Sequence, residues 1–253
     1  MKRSQSSQPA PMSAPATRKT SLRPLACELS CLQNSDGSAL FQSGSTHVLA
    51  SVHGPLAPRI RQHEDSTQAS ISIILKSPRS STTTTYDREW ENFLTGVLSS
   101  CIRKTAYPRS VIQIVLQIVA ADGSVLSTCL HAAVAALMDA GIEMLRLPTA
   151  ATCLLHSDGP DYPLTVQLDP SSDQEQASSS HGCIVVVTVP STNKVLATHT
   201  MIRGQGSKGG CSIETLLQCC ALSSRAGPAV VAFLRLAFEQ KVQKEAQTLW
   251  SST

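Results

Sequence analysis

Aromatic residues are scarce in this chain, at 4% of its 253 positions. Any core must therefore be filled by aliphatic side chains, and a hydrophobic content of 42% supplies them. An excess of charge is lacking as well. The 21 basic and 18 acidic residues leave a formal +3, too little for overall charge to imply nucleic-acid binding. The cations are unevenly spread, since Lys2, Arg3, Arg18, Lys19 and Arg23 all precede the first acidic residue, Glu28. No CxxC spacing occurs among the nine cysteines, which removes the common zinc frameworks. Most cysteines lie inside apolar runs, such as Cys153 in ATCLLH and Cys183 in GCIVVVTV. Their odd number and the absence of a secretory signal read as reduced, packed thiols in a reducing compartment. No apolar run approaches the ~20 residues of a membrane span, so a soluble, intracellular protein without a membrane partner is expected.

Residues 1–20, rich in Ser, Pro, Gln and Ala, bury too little apolar surface to offset ordering entropy and are expected to be a disordered tail. Residues 21–247 read as one α+β domain, with 248–253 a flexible end. Short runs in LRPLACELSCL, SALFQ and THVLASVHG, separated by NSDG and SGS, predict an antiparallel meander. ASISIILK (69–76) predicts a further strand, expected to form a hairpin with the one before it. Trp90, Phe93, Leu94, Val97, Leu98 and Cys101 recur at helical spacing and predict a helix over 87–104. SVIQIVLQIVAA (110–121) reads as a central strand buried on most of both faces.

Residues 120–141, AADGSVLSTCLHAAVAALMDAG, follow. A glycine turn opens into an alanine-rich helix with Ser124 at its N-cap, an apolar stripe of Leu126, Leu130, Val134, Leu137 and Met138, and Gly141 at its end. With ATCLLH after it, this predicts a β-α-β crossover. The turn has the shape of an anion site, yet no Arg, Lys or carboxylate follows it. LTVQLD, CIVVVTV and KVLATHTMI predict three more strands, then a glycine-rich turn and a long helix that Pro228 either kinks or divides.

Other motifs carry little. Gly204, Gly206 and Gly209 spell GxGxxG, but the chain ends in helix without a following strand and acidic residue, so a flexible turn is the expectation. His131 and His53 have no nucleophile at a known spacing and read as packed or surface histidines. Asp161, Asp169, Asp173 and Glu175 form an acidic group whose default role is loop solvation, because two carboxylates near a strand end do not make a metal cage. Arg59, Arg61, Lys76 and Arg79 flank the expected third-and-fourth-strand hairpin, which would gather them into a positive patch able to touch RNA phosphates.

The order of elements and several stretches resemble the RNase PH family. These are SLRPLAC at 21–27, DGSALFQSGSTHVLASVHGP at 36–55, YPRS at 107–110, VLQIVAADGSVLSTCLHAAVAALMDAGI at 115–142 and LDP at 168–170. The resemblance implies the RNase PH-like fold (ribosomal protein S5 domain 2-like), two βαβα-type halves with mixed sheets and packed helices. Active members degrade RNA from its 3′ end with inorganic phosphate, through DGG-Thr-Arg after the central strand, an arginine-rich helix before it, and two aspartates beyond the LDP-like strand. Here the first reads Asp122-Gly123-Ser124-Val125-Leu126, and leucine cannot neutralise an oxyanion. The helix reads NFLTGVLSSCIRK, in which Arg103 comes too late, and only Asp173 remains of the aspartate pair, the second position falling near Ser179. The resemblance thus implies a catalytically inactive ring subunit of an RNA exosome, Asp173 being vestigial, with no cofactor and no metal. Its implied partners are homologous subunits in a hexameric ring, cap subunits, an associated nuclease and RNA, in nucleus, nucleolus and cytoplasm. The alternative is an active phosphate-dependent exoribonuclease completed by a partner's residue.

Overall fold

A computed structural model describes residues 21–58, 65–77, 85–156, 165–177, 180–202 and 212–251. The predicted meander is present: β1 (Leu25–Leu29), β2 (Gly37–Ser43) and β3 (Thr46–Leu56) pair antiparallel in sequence order. The hairpin expected between β3 and β4 (Ser70–Lys76) is absent. β5 (Val111–Ala120) lies between them, antiparallel to β3 and parallel to β4, in a mixed sheet of order β1-β2-β3-β5-β4. Leu56 pairs with Val111 while Lys76 pairs with Gln117, so β3 ends and β4 ends at opposite ends of β5.

β5 also departs from the expectation that both faces are buried. Ile112, Ile114, Leu116 and Ile118 are buried, whereas Gln117 faces solvent and Val119 is 55% exposed. The two glutamines share the outer face, which the alternation of an open sheet requires. The inner face packs on α1 (Thr85–Cys101) and α2 (Val125–Asp139).

β6 (Thr149–His156) does not return to the sheet of β5, so the β5-α2-β6 passage is no crossover within one sheet. It joins a second sheet, all antiparallel, of order β7-β6-β8-β9, with β7 (Thr165–Leu168), β8 (Ser180–Val189) and β9 (Lys194–Ile202). This sheet is covered on both faces. Ala150, Val185 and Val187 join the core around α2, while Ala151, Cys153, Ile184 and Val186 pack against α4 (Ile213–Ser251). Helix α2 therefore lies between two sheets, and its residues from Leu126 to Leu137 are all buried, not one stripe alone. The alanines make that fit possible, because larger side chains would hold the sheets apart.

The end of α2 follows the sequence. Gly141 has φ +68°, its N–H donates to the Met138 carbonyl, and the Ile142 N–H donates to Leu137. Asp139, next to this end, accepts from the Ser38 N–H at 2.9 Å and from Lys241 of α4 at 2.5 Å. α4 is a single helix running to Ser251, past the boundary expected at 247, with Pro228 inside it. Gly227 beside the proline allows close contact, since a Cβ there would stand 2.8 Å from Pro190 Cγ and 2.9 Å from Thr149 Oγ1. By length and composition alone α4 is long and apolar enough to cross a membrane, a property that a helix packed in a protein core can share. In the fold, its Cys219, Ala226, Val230 and Leu234 are core residues. The described cysteines are all free, and burial pushes the Cys129 thiol up to about 12.

Candidate functional site

The turn between β5 and α2 is built by long-range contacts. Gly123 has φ +73°, and a Cβ there would stand 2.4 Å from the Pro170 carbonyl oxygen and 2.7 Å from the Ser171 carbonyl carbon. Only glycine fits, because the loop after β7 lies directly against the turn. Thr46, at the start of β3, clips it from the other side. Its hydroxyl accepts from the Asp122 N–H at 3.0 Å and donates to the Gly123 carbonyl at 2.8 Å.

Arg23, just before β1, ties both parts together. One guanidinium nitrogen donates to the Asp122 carbonyl at 2.6 Å, and the other to Asp169 Oδ1 at 2.9 Å and the Gly123 carbonyl at 3.3 Å. The Arg23 backbone N–H donates to the second Asp169 oxygen at 2.9 Å. Burial penalises the Asp169 charge, but the hydrogen bonds and charge of Arg23 outweigh it and hold the carboxyl below its ordinary pKa. Asp169 is therefore an ion-pair anchor, and the described residues contain no group of three or more His, Cys, Asp or Glu arranged to hold a metal.

Ser124 occupies the N-cap position of α2, yet its side chain caps nothing. Its backbone is left-handed at φ 51°, and its hydroxyl donates to the Pro170 carbonyl at 3.2 Å. The Ser124 N–H instead donates to Glu175 Oε1 at 2.8 Å, from α3 (Ser172–Gln176). Asp122 Oδ1 accepts from the Ser172 N–H at 3.1 Å. The turn thus holds the protein's own carboxylates. Among the described residues, Asp122, Asp169 and Glu175 stand around it with Arg23 as the cation bonded there, and the field of these groups disfavours a further anion.

Asp173 is exposed in the first turn of α3. Asp161, Ser179 and the glycines at 204, 206 and 209 lie outside the described residues. So do Arg59, Arg61 and Arg79, while Lys76 is exposed at the end of the edge strand β4. The hairpin meant to gather these four is not formed, for the reason of strand order given above. His131 is buried on α2, its Nε2 accepting from the Ala150 N–H at 3.1 Å and its ring 5.3 Å from that of Phe41. His53 is half-buried on β3. Sequence reasoning missed Arg23, Thr46 and Glu175 as parts of the turn. Arg23 and Asp169 did stand in the resembling stretches SLRPLAC and LDP, which was the available signal.

Residues 21–143 match the model of the 3′ exoribonuclease family, domain 1 (RNase PH). The chain is 30% identical to the exosome complex exonuclease RRP46 homolog of Arabidopsis thaliana, over 88% of this chain and 94% of that protein. It is 35% identical to the exosome complex component RRP46 of Saccharomyces cerevisiae, over 60% of this chain and 69% of that one. The crystal structure of rice (Oryza sativa) Rrp46 superposes with a TM-score of 0.72 at 29% identity, covering 85% of this chain and 95% of the rice chain. With 30% identity over 88% of its length to one of these relatives and a superposition covering 85% of it on another, the chain belongs to the RNase PH, or 3′ exoribonuclease, family.

Proposed function

We propose that this chain is a catalytically silent subunit of the RNA exosome ring, acting as scaffold and as part of the path of RNA. One observation carries the silence: the turn that should receive an attacking phosphate accepts Glu175 of the same chain, and the nearby cation, Arg23, is engaged with Asp169. Phosphorolysis needs donors aimed at an oxyanion in a site free to receive it. At the position where active relatives carry a phosphate-gripping arginine stands Leu126, 2% exposed and part of the core. The names of the relatives support the assembly, since they are components of an exosome complex. The proposed partners are homologous subunits closing a hexameric ring, cap subunits, an associated nuclease and RNA, in nucleus, nucleolus and cytoplasm. Arg59, Arg61, Lys76 and Arg79 are proposed as RNA contacts that act singly, with no shared hairpin to group them.

The test is incubation of the pure chain with end-labelled RNA in phosphate buffer. No release of nucleoside diphosphates is expected. Phosphate-dependent release that disappears in Asp173→Ala would establish an active exoribonuclease instead.

A further inference from the structure

Away from the 122–124 turn, a second place has the composition of an anion-binding surface. Residues 101–110 and 141–147 are neighbours. Ile102 bridges to Met144, the Arg103 N–H donates to the Glu143 carbonyl at 3.0 Å, and the Leu145 N–H donates to the Cys101 carbonyl at 2.7 Å. The Tyr107 hydroxyl accepts from the Glu143 N–H at 3.1 Å and fastens the far end. These two segments contain Arg103, Lys104, Arg109 and Arg146 against Glu143, and the adjoining segment adds Asp65, whose carbonyl accepts from the Arg109 N–H at 3.1 Å, so four cations face two carboxylates. Arg103, Arg109 and Arg146 are exposed, and Arg146 lies close enough to Cys101 for its charge to act on that thiol.

The local chemistry suits a phosphodiester. A depression of about 390 Å³ is lined by Gln68, Ser99, Arg103, Lys104, Thr105 and Leu145, among others. Lys104 Nζ donates to Ser99 Oγ at 2.9 Å, so its charge is met by a neutral group and the Ser99 hydroxyl hydrogen is left to donate outward. The Arg103–Glu143 ion pair, at 3.0 Å, is half-exposed on both sides and is readily exchanged for a phosphate. Leu145, 53% exposed, offers an apolar surface beside the cations. Charged donors, hydroxyls and an apolar patch together fit a sugar–phosphate backbone, and the excess of cations steers a polyanion to it.

We infer that the surface formed by Arg103, Lys104, Arg109 and Arg146 binds the phosphate backbone of single-stranded RNA, at a place distinct from both the 122–124 turn and Lys76. This rests on the reading of the chain as an RNA-handling subunit.

The experiment measures binding of a labelled single-stranded RNA to the full chain across a salt series. It compares the wild type with two variants, Arg103→Gln/Lys104→Gln/Arg109→Gln/Arg146→Gln and Arg59→Gln/Arg61→Gln/Lys76→Gln/Arg79→Gln. Loss of about tenfold in affinity is expected for the first, with the slope of log K against log salt shallower by roughly 2. An unchanged affinity and slope in that variant, with the wild type binding, overturns the assignment while leaving the RNA reading standing. Absence of RNA binding by the wild type overturns both. A variant that keeps its RNA affinity but no longer joins homologous chains marks the patch as a protein interface, which also overturns it. Arg109→Gln/Arg146→Gln, changing two exposed side chains only, provides the same readout should the fourfold variant fold poorly.

Discussion

Asp169 and His131 show how single buried groups set the pH range of this fold. Burial drives the His131 pKa down from 6.5 to about 4, against a raising pull from Asp169. A base depressed in this way binds fewer protons folded than unfolded between those values. Its stabilising contribution is complete above 6.5 and is lost as pH falls toward 4, by about 3 kcal/mol in all. Thermal melts should therefore show stability declining from pH 7 to pH 4.5, and His131→Gln should flatten that decline. A wild-type slope retained in the variant would assign the effect elsewhere. Asp169 acts in a lower window. Its pKa is held below 3.8, so its contribution is present above that value and is lost as pH falls through the folded pKa. Asp169→Asn takes the closer of two carboxylate partners from the partly buried Arg23, leaving the longer 3.8 Å pair with Asp122, and is expected to cost about 3 kcal/mol at pH 7 in denaturant unfolding, with a smaller further loss below pH 4.

At the scale of elements, α2 is the piece on which the packing of both sheets depends. Ala132, Ala133, Ala135 and Ala136 are each at most 1% exposed, and the helix touches β2 and β3 on one side and β6 on the other. Ala133→Leu should cost about 1–3 kcal/mol through overpacking, seen as a lower urea midpoint with an unchanged slope. α4 is held differently, by Phe233 edge-on to Phe41 at 6.0 Å and by Lys241 on Asp139. Asp139→Asn removes the charge that faces Lys241 and one of the two oxygens that accept separately from Ser38 and Lys241. A loss of about 3 kcal/mol is expected, with amide exchange accelerated first in the C-terminal part of α4.

Across the whole molecule, the two halves are unequal. Among the described residues, the second sheet is covered on both faces, whereas the first leaves Val119 on its outer face 55% exposed. Under the proposed ring assignment, affinity capture from cell extract should recover several homologous chains in equal amounts, and the melting temperature should rise with partner concentration. Capture of the chain alone, with a concentration-independent melt, would count against the ring.

Much of this was legible in advance because it is local. Periodicity placed the strands of the meander and α2, the Gly141 end followed from a residue that tolerates positive φ, and the family resemblance marked Leu126 as standing where active members carry arginine. What occupies the turn was not legible. Arg23 meets Asp169 across 146 residues, Glu175 reaches Ser124 across 51, and β5 separates two strands that are consecutive in the chain. Side-chain type and spacing determine which segments can be helix or strand and which charges exist. Only tertiary packing decides which of those charges meet, because their pairing depends on how the sheets close around α2 and on nothing their neighbours in sequence can impose.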